Sequence, residues 1–200
     1  MALALALALA GNVGAATDYG FCTVCHGAEA NGNPAIHAPK LSGMEPWYLQ
    51  RQLEDFRAQR RGTSEADEAG LEMQPVARQL TDADIKAVVA YIGTLEARLS
   101  PRTVQGDAGR GRGLYAPCAA CHGARAEGNA TLQAPALASQ PDWYLVTQLE
   151  HFRRGMRGYS KEDPQGNAMR AATAVLPDDG HAIADVVAYI STLAPRARAP

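Results

Sequence analysis

Apolar residues recur at helical spacing in two stretches of this chain, residues 45–59 and 82–97, and again in a second copy of each stretch. Such spacing predicts amphipathic helices. The positions that share one helical face are Trp47, Leu49, Leu53 and Phe56 in the first stretch and Ile85, Val88, Val89 and Ile92 in the second. No segment shows the convincing alternation of a strand, so the pattern predicts an all-α fold with long loops.

The whole sequence repeats after a shift of 96 residues. Trp47-Tyr48-Leu49 returns as Trp143-Tyr144-Leu145, and the register holds without a gap as far as Leu80 and its copy Leu176. A match of this length indicates an internally duplicated domain, because the period is too long for one unit of a solenoid. We predict an N-terminal domain over 17–99, a Pro- and Gly-containing linker over 100–109 and a C-terminal domain over 110–195.

The chain begins with an alternating Ala-Leu run, which is followed by small residues. This pattern predicts a signal peptide over 1–16 and export to the periplasm. The apolar run is about half the ~20 residues that a transmembrane helix needs. Uncleaved anchoring is the alternative.

The two halves carry different charge. Residues 1–100 hold 8 Lys and Arg against 12 Asp and Glu (−4), and residues 101–200 hold 11 against 9 (+2). The difference indicates either ordinary variation of a solvated surface or a dipolar molecule whose two ends suit different partners. No basic run with interleaved aromatic residues is present, which argues against a nucleic-acid partner.

Two Cys-x-x-Cys-His motifs carry the strongest chemical signal. Residues 22–26 and 118–122 contain them, and together they use all four cysteines of the chain. This motif is the attachment signature of a c-type haem, whose vinyl groups form thioethers with the two thiols. A zinc site would leave the histidines and the paired methionines unexplained. Redox disulfides would need a thioredoxin-like sheet, which the sequence does not show. The motifs therefore predict two covalently attached haem c groups, held through Cys22, Cys25, Cys118 and Cys121.

The histidines of the motifs, His26 and His122, are predicted to bind iron from one side. Met73 and Met169 each follow their histidine by 47 residues, and they are the methionines that the repeat pairs with each other. Thioether sulfur with imidazole is a known haem ligand pair that raises the reduction potential, so we predict Met73 and Met169 as the second axial ligands. With both sides of each iron occupied, the site favours electron transfer over catalysis.

Several further repeated residues are candidates for the cofactor surroundings. Pro39 and Pro135 follow the histidines by 13 residues, and their carbonyls are placed to accept the imidazole Nδ1–H. Aromatic donors that either wall the haems or pack the helices are Trp47, Tyr48, Trp143 and Tyr144. Candidates for pairing with haem propionates, or for solvated surface, are Arg57, Arg61, Arg153 and Arg157. Tyr91 and Tyr189 are predicted to pack the last helix of each half against the haem-binding helix near Tyr19 and Tyr115.

With these motifs in place, the sequence resembles the dihaem cytochromes c4 over nearly its full length after the leader. The matching elements are Cys-x-x-Cys-His-Gly, Pro-x-Leu-x-Gly from Pro39, Trp-Tyr-Leu-x-x-Gln-Leu-x-x-Phe-Arg from Trp47, and Met-x-x-x-Ala-x-x-Leu from Met73. In the second copy Ser139 replaces the glycine and Thr173 replaces the alanine, and neither change touches a predicted ligand. The resemblance implies two class I cytochrome c domains packed face to face, with the propionate edges of their haems near each other.

The resemblance also implies a periplasmic electron carrier. Its expected partners are redox proteins such as a quinol-oxidising complex and a terminal oxidase, with loose inner-membrane association and no small-molecule substrate. One alternative is a dihaem electron-transfer subunit of a dehydrogenase complex. Another is a dihaem enzyme, either a peroxidase or a thiosulfate dehydrogenase. A peroxidase needs a haem with an open site, and a thiosulfate dehydrogenase would want a cysteine ligand, which the four thioethers leave unavailable.

Overall fold

The computed structural model describes residues 19–193 of the chain. The predicted signal peptide lies outside these residues. The described chain is helical, with short 3₁₀ turns and two isolated β-bridges, one in each half. The helices are α1 (Thr23–His26), α2 (Pro46–Arg57), α3 (Glu68–Arg78), α4 (Asp82–Thr94), α5 (Ala108–His122), α6 (Asp142–Arg153), α7 (Pro164–Thr173) and α8 (Ala182–Ile190).

The two helical stretches predicted from apolar spacing are confirmed as α2 and α4, with α6 and α8 as their copies. Helix α4 begins at a capping box, in which the Thr81 hydroxyl accepts from Asp84 N–H and the Asp84 carboxylate accepts from Thr81 N–H at 2.9 Å. This reciprocal pair satisfies backbone donors that the first turn leaves unpaired, and it starts the helix at one defined residue.

Helices α3 and α7 carry Met73 and Met169, and apolar spacing did not predict them. Each begins at a buried aspartate, Asp67 or Asp163, whose side chain accepts from the backbone N–H three residues later at 2.9 and 2.8 Å. Helix α3 also contains Pro75, which disfavours a helix when the sequence is considered alone.

Helix α5 crosses α8 at close range in the C-terminal half. Gly111 makes this crossing possible, because a Cβ atom at that position would lie 1.9 Å from the Asp185 carbonyl oxygen. Ala108 and Gly109, at the end of the predicted linker, form the first turn of α5. In the N-terminal half, a 3₁₀ turn over Tyr19–Phe21 precedes α1 and packs against α4.

The predicted tyrosine pairs are confirmed in both halves. The ring centroids of Tyr19 and Tyr91 are 5.3 Å apart, and those of Tyr115 and Tyr189 are 5.6 Å apart. Tyr19 and Tyr115 also donate their hydroxyls to the carbonyl of the glycine after the Cys-x-x-Cys-His motif, at 2.8 and 2.7 Å. These tyrosines therefore fix the end of the cysteine-bearing segment against the last helix of their own half.

The two halves pack on each other about an approximate twofold relation. Arg61 of the first half donates to Gln148 of the second at 3.0 Å, and Arg157 of the second donates to Gln52 of the first at 2.9 Å. The hydroxyls of Thr63 and Tyr159, which are 96 residues apart and equivalent in the repeat, lie 2.6 Å apart. Such reciprocal contacts between equivalent residues are characteristic of an isologous interface.

Within residues 19–193, no helix is both long enough and apolar enough to cross a bilayer.

Candidate cofactor cavities

A large, mostly apolar cavity lies beside the cysteine motif of each half. The N-terminal cavity has a volume of about 380 Å³ and the C-terminal cavity about 400 Å³. Both are of the size that small molecules and cofactors occupy. The predicted cysteine, histidine and methionine residues of each half line its own cavity: Cys22, Cys25, His26 and Met73 in the first, and Cys118, Cys121, His122 and Met169 in the second.

The buried histidines are oriented by backbone carbonyls. Nδ1 of His26 lies 2.8 Å from the Pro39 oxygen, and Nδ1 of His122 lies 2.8 Å from the Pro135 oxygen. A carbonyl only accepts, so Nδ1 carries the hydrogen and Nε2 keeps its lone pair for a metal. Burial lowers the pKa of both histidines, although the carbonyl bonds oppose this, and the neutral ring is the form that binds a metal.

The loop that carries the Pro39 carbonyl is held by a glycine. Gly32 has a φ of +80°, and a Cβ atom there would lie 2.6 Å from the backbone nitrogen of Lys40. Gly128 has the same conformation and the same close approach, to Ala136 nitrogen, in the second half. Only glycine combines this positive φ with such a close backbone contact, so the repeated glycine is part of the machinery that orients the histidine.

Imidazole and thioether groups meet across the C-terminal cavity. His122 Nε2 and Met169 Sδ face each other at 3.4 Å. Met73 lines the N-terminal cavity together with His26. One nitrogen donor, one sulfur donor and two thiols in each lining form a donor set that suits a c-type haem.

The polar groups of the cavities suit the propionates of a haem as well. Arg51 lines the C-terminal cavity and Arg61 lines the N-terminal one, and the Nε atom of each is buried without a hydrogen-bond partner in the described chain. An unpaired buried guanidinium N–H is costly, and a carboxylate is its natural partner. The residues present therefore fit a haem in each cavity.

Of the four arginines predicted for propionate pairing, Arg61 and Arg157 line cavities. Arg57 instead donates to the Leu80 carbonyl and to Asp82 at 3.0 and 2.6 Å, and Arg153 contacts Asp178 at 3.3 Å. These two arginines contact the segments in front of α4 and α8. Propionate pairing is therefore the wrong assignment for Arg57 and Arg153 in this geometry, because their guanidinium groups are engaged outside the cavities.

The aromatic candidates separate in the same way. Tyr48 and Tyr144 each line both cavities. Neither cavity lining includes Trp47 or Trp143, and both indoles instead pack against the buried core cluster of the N-terminal half, which Tyr144 joins from the second half. This contact is the one that the helix-packing alternative predicts.

A wall one side chain thick separates the two cavities. The residues that line both are Met44, Tyr48, Gln52, Tyr144 and Gln148. Arg61 donates to Gln52 Oε1 at 2.7 Å and to the Tyr144 hydroxyl at 3.3 Å, and Arg157 donates to Gln148 Oε1 at 2.6 Å. Gln52 and Gln148 repeat in the sequence, so the repeat could have identified them as site residues, although it could not show that they meet.

The geometry also decides between the chemical alternatives. The two cysteine pairs lie in separate cavities, which excludes a shared four-cysteine zinc site. In residues 19–193 no group of three or more His, Cys, Asp or Glu side chains could hold a metal ion. The described chain also contains no sheet on which a thioredoxin-like disulfide site could be built.

Comparisons with known proteins agree with this site. The family model described as cytochrome c matches residues 14–96 and again 108–194. The chain is 34% identical to cytochrome c4 of Thiocapsa roseopersicina, over 90% of this chain and 91% of the relative. It is also 34% identical to the thiosulfate dehydrogenase electron acceptor of Stutzerimonas stutzeri strain A1501, over 84% of this chain and 78% of the relative. The cytochrome c4 structure from Acidithiobacillus ferrooxidans superposes with a TM-score of 0.71 at 26% identity, covering 88% of this chain and all of that one.

Proposed function

Because the chain belongs to the dihaem cytochrome c4 family, we propose that it takes single electrons from a respiratory donor in the periplasm and passes them to a terminal oxidase or another acceptor. Two haem c groups, one in each domain, supply reversible one-electron chemistry when bound. Members of this family are electron carriers and not enzymes. The donor, the acceptor and the periplasmic site of action are the proposed part.

The single observation that carries the proposal is the shared wall between the cavities. Tyr48, Tyr144, Gln52 and Gln148 belong to both linings, so the two cofactor sites adjoin each other. Electrons that enter through one domain can therefore pass to the other inside the protein and leave from there. Two sites that merely shared a chain, without a common wall, would not support this exchange.

The axial groups support a carrier in preference to a dihaem enzyme. Each cavity contains a histidine held by a carbonyl and a methionine placed by a capped helix, so the protein offers two ligands for each iron. We assign His26 with Met73 and His122 with Met169 as these pairs. A peroxidase would need one of the methionines to be displaced. A thiosulfate dehydrogenase of the kind considered above would need a fifth cysteine, and the sequence has four.

A dehydrogenase is the alternative electron donor. This second candidate is supported by the Stutzerimonas stutzeri relative, whose name describes an acceptor for thiosulfate dehydrogenase. The exposed residues around the two methionine helices also differ in charge. Glu65, Glu68 and Glu72 in the first half are replaced by Lys161, Pro164 and Ala168 in the second. An acidic face and a nearly neutral face would suit a donor and an acceptor of different charge.

Stopped-flow reduction of the oxidised dihaem protein tests the proposal. We expect two electrons per chain from a quinol-oxidising complex or from thiosulfate dehydrogenase with thiosulfate, at rates that fall as salt screens the charged faces. The double variant Glu68→Lys with Glu72→Lys should slow one partner and leave the other unchanged, while the exposed Glu96→Lys serves as the matched control. Failure of both donors to reduce the protein, while it remains reducible by dithionite, would overturn the proposed placement in respiration.

A further inference from the structure

His151 belongs to the C-terminal domain but lines the N-terminal cavity. It lies on α6, its side chain is 15% exposed, and its Nδ1 atom is 3.6 Å from the Asp67 carboxylate of the other domain. Asp67 also lines the N-terminal cavity, and its side chain is 4% exposed. The pair therefore bridges the domains at the edge of one cofactor site.

The pair is incomplete in its hydrogen bonding. In the described chain, His151 Nδ1 and Asp67 Oδ2 are both buried without a hydrogen-bond partner. The other carboxylate oxygen, Oδ1, accepts from Gly70 N–H at 2.9 Å and caps α3. A proton on Nδ1 would turn this contact into a charge-assisted hydrogen bond between buried groups. The arrangement is therefore a natural binding site for one proton.

The second half repeats this arrangement without the imidazole. Asp55 stands where the repeat would place His151; burial raises the pKa of Asp55, its ion pair with Arg60 at 2.7 Å lowers it, and nearby Asp163, the equivalent of Asp67, raises it. Met156 in turn occupies the position equivalent to Arg60. The lining of the C-terminal cavity contains no histidine other than the predicted ligand His122. Any effect of His151 should therefore fall on the N-terminal site.

We propose that His151, together with Asp67, is a proton-binding site coupled to reduction of the N-terminal haem. His151 takes up one proton from solvent when that haem accepts one electron from its donor, and it releases the proton when the electron leaves. This inference rests on the proposed electron-carrier function. It adds that electron entry through the N-terminal domain is linked to pH and entry through the C-terminal domain is not.

The charged groups around His151 determine the pH range in which it binds and releases its proton. Burial lowers the pKa of His151, Asp67 raises it, and Arg61, Arg157 and Arg154 lower it further. The ring is therefore neutral at pH 7 when the nearby iron is oxidised. Reduction adds one negative charge to the cavity, which favours the protonated ring. Between the two resulting pKa values, the reduction potential of the N-terminal haem must fall as pH rises.

Redox titration of the dihaem protein between pH 4.5 and 8 tests the proposal. The two haems are distinguished by their NMR methyl signals, which are assigned from the set that changes in Met169→Ala. At a fixed potential, we expect the ratio of reduced to oxidised N-terminal haem to fall by up to tenfold per pH unit within the window, equivalent to about 59 mV for one electron. The ratio for the C-terminal haem should stay nearly constant over the same window.

Two variants and one control make the result specific. His151→Gln should abolish the N-terminal slope, whereas His181→Gln, at an exposed position, should leave it unchanged. Asp67→Asn keeps an acceptor for the α3 cap but removes the charge, and it should move the window to lower pH. Equal slopes at both haems, or an unchanged slope in His151→Gln, would overturn the inference. Electron exchange with the donor would continue in either case, so this outcome is distinct from failure of the proposed function.

Discussion

The crossing of α5 and α8 gives a direct test of how the C-terminal domain is held together. Gly111 and Gly113 both lie inside α5, but a Cβ atom at Gly111 would lie 1.9 Å from Asp185 O, whereas one at Gly113 would have no atom within 4 Å. Alanine at either position gains about 1 kcal/mol of helix propensity. Alanine at Gly111 also forces the helices apart, and overpacking of this kind costs about 1–3 kcal/mol.

The two variants should therefore differ by about 1–3 kcal/mol, with Gly113→Ala the more stable. A difference of about 2 kcal/mol would separate their Tm values by roughly 8–16 °C for a domain of this size. Thermal unfolding of the dihaem protein, followed by far-ultraviolet circular dichroism, measures this difference. Since α8 supplies Val186 and Ile190 to the C-terminal cavity, Gly111→Ala should also perturb the C-terminal haem and leave the N-terminal haem unchanged. Equal Tm values for the two variants would refute the close crossing.

Three further changes test the site and its supports. Met169→Ala should remove the far-red sulfur-to-iron band of the C-terminal haem and lower its reduction potential, with two haems per chain retained in pyridine haemochrome assays. Tyr115→Phe loses the 2.7 Å hydrogen bond to Gly123 O and should lower the free energy of unfolding, measured by urea denaturation, by about 1 kcal/mol. The control Tyr159→Phe, whose hydrogen bond is exposed, should change it by less than about 0.5 kcal/mol. Burial opposes ionisation of Asp142, but hydrogen bonds from the linker lower its pKa below the ordinary value of 3.8. The free energy of unfolding that this carboxylate contributes at pH 7 should therefore be lost as pH falls below about 4. Asp142→Asn should make the free energy of unfolding less dependent on pH in that range.

The repeat explains why the candidate ligands could be located from the sequence. Met73 and Met169 pair at one spacing from their histidines, and the structure places both in the cavities that contain those histidines. The same reasoning identified Pro39, because a fixed separation of 13 residues spans one loop within one domain. Local spacing carries this information, since both partners belong to a single short segment of backbone.

Contacts between the domains could not be predicted in the same way. The repeat contains this arginine twice, as Arg61 and Arg157. The sequence alone does not show whether each side chain contacts its own half or the other half. In the structure Arg61 does both, since it binds Gln52 at 2.7 Å within its half and Gln148 at 3.0 Å across the interface. Arg57 repeats as Arg153 equally well and yet points away from the cavities. Repetition therefore identifies positions under the same constraint without identifying the constraint.

The twofold relation between the domains suggests why two of its positions have diverged. In an isologous interface of identical subunits, a substitution appears twice, so each new charge must tolerate its own copy. Fusion into one chain removes this restriction. Lys40 is an example: it is 2% exposed and donates to the backbone carbonyls of Arg98 and of Ser139 at the interface, while Ala136 occupies the equivalent position. His151 opposite Asp67 is the second example, with Asp55 in the equivalent place. A covalent pair of domains can thus place a charged group on one side of the interface and a different residue at the equivalent position on the other.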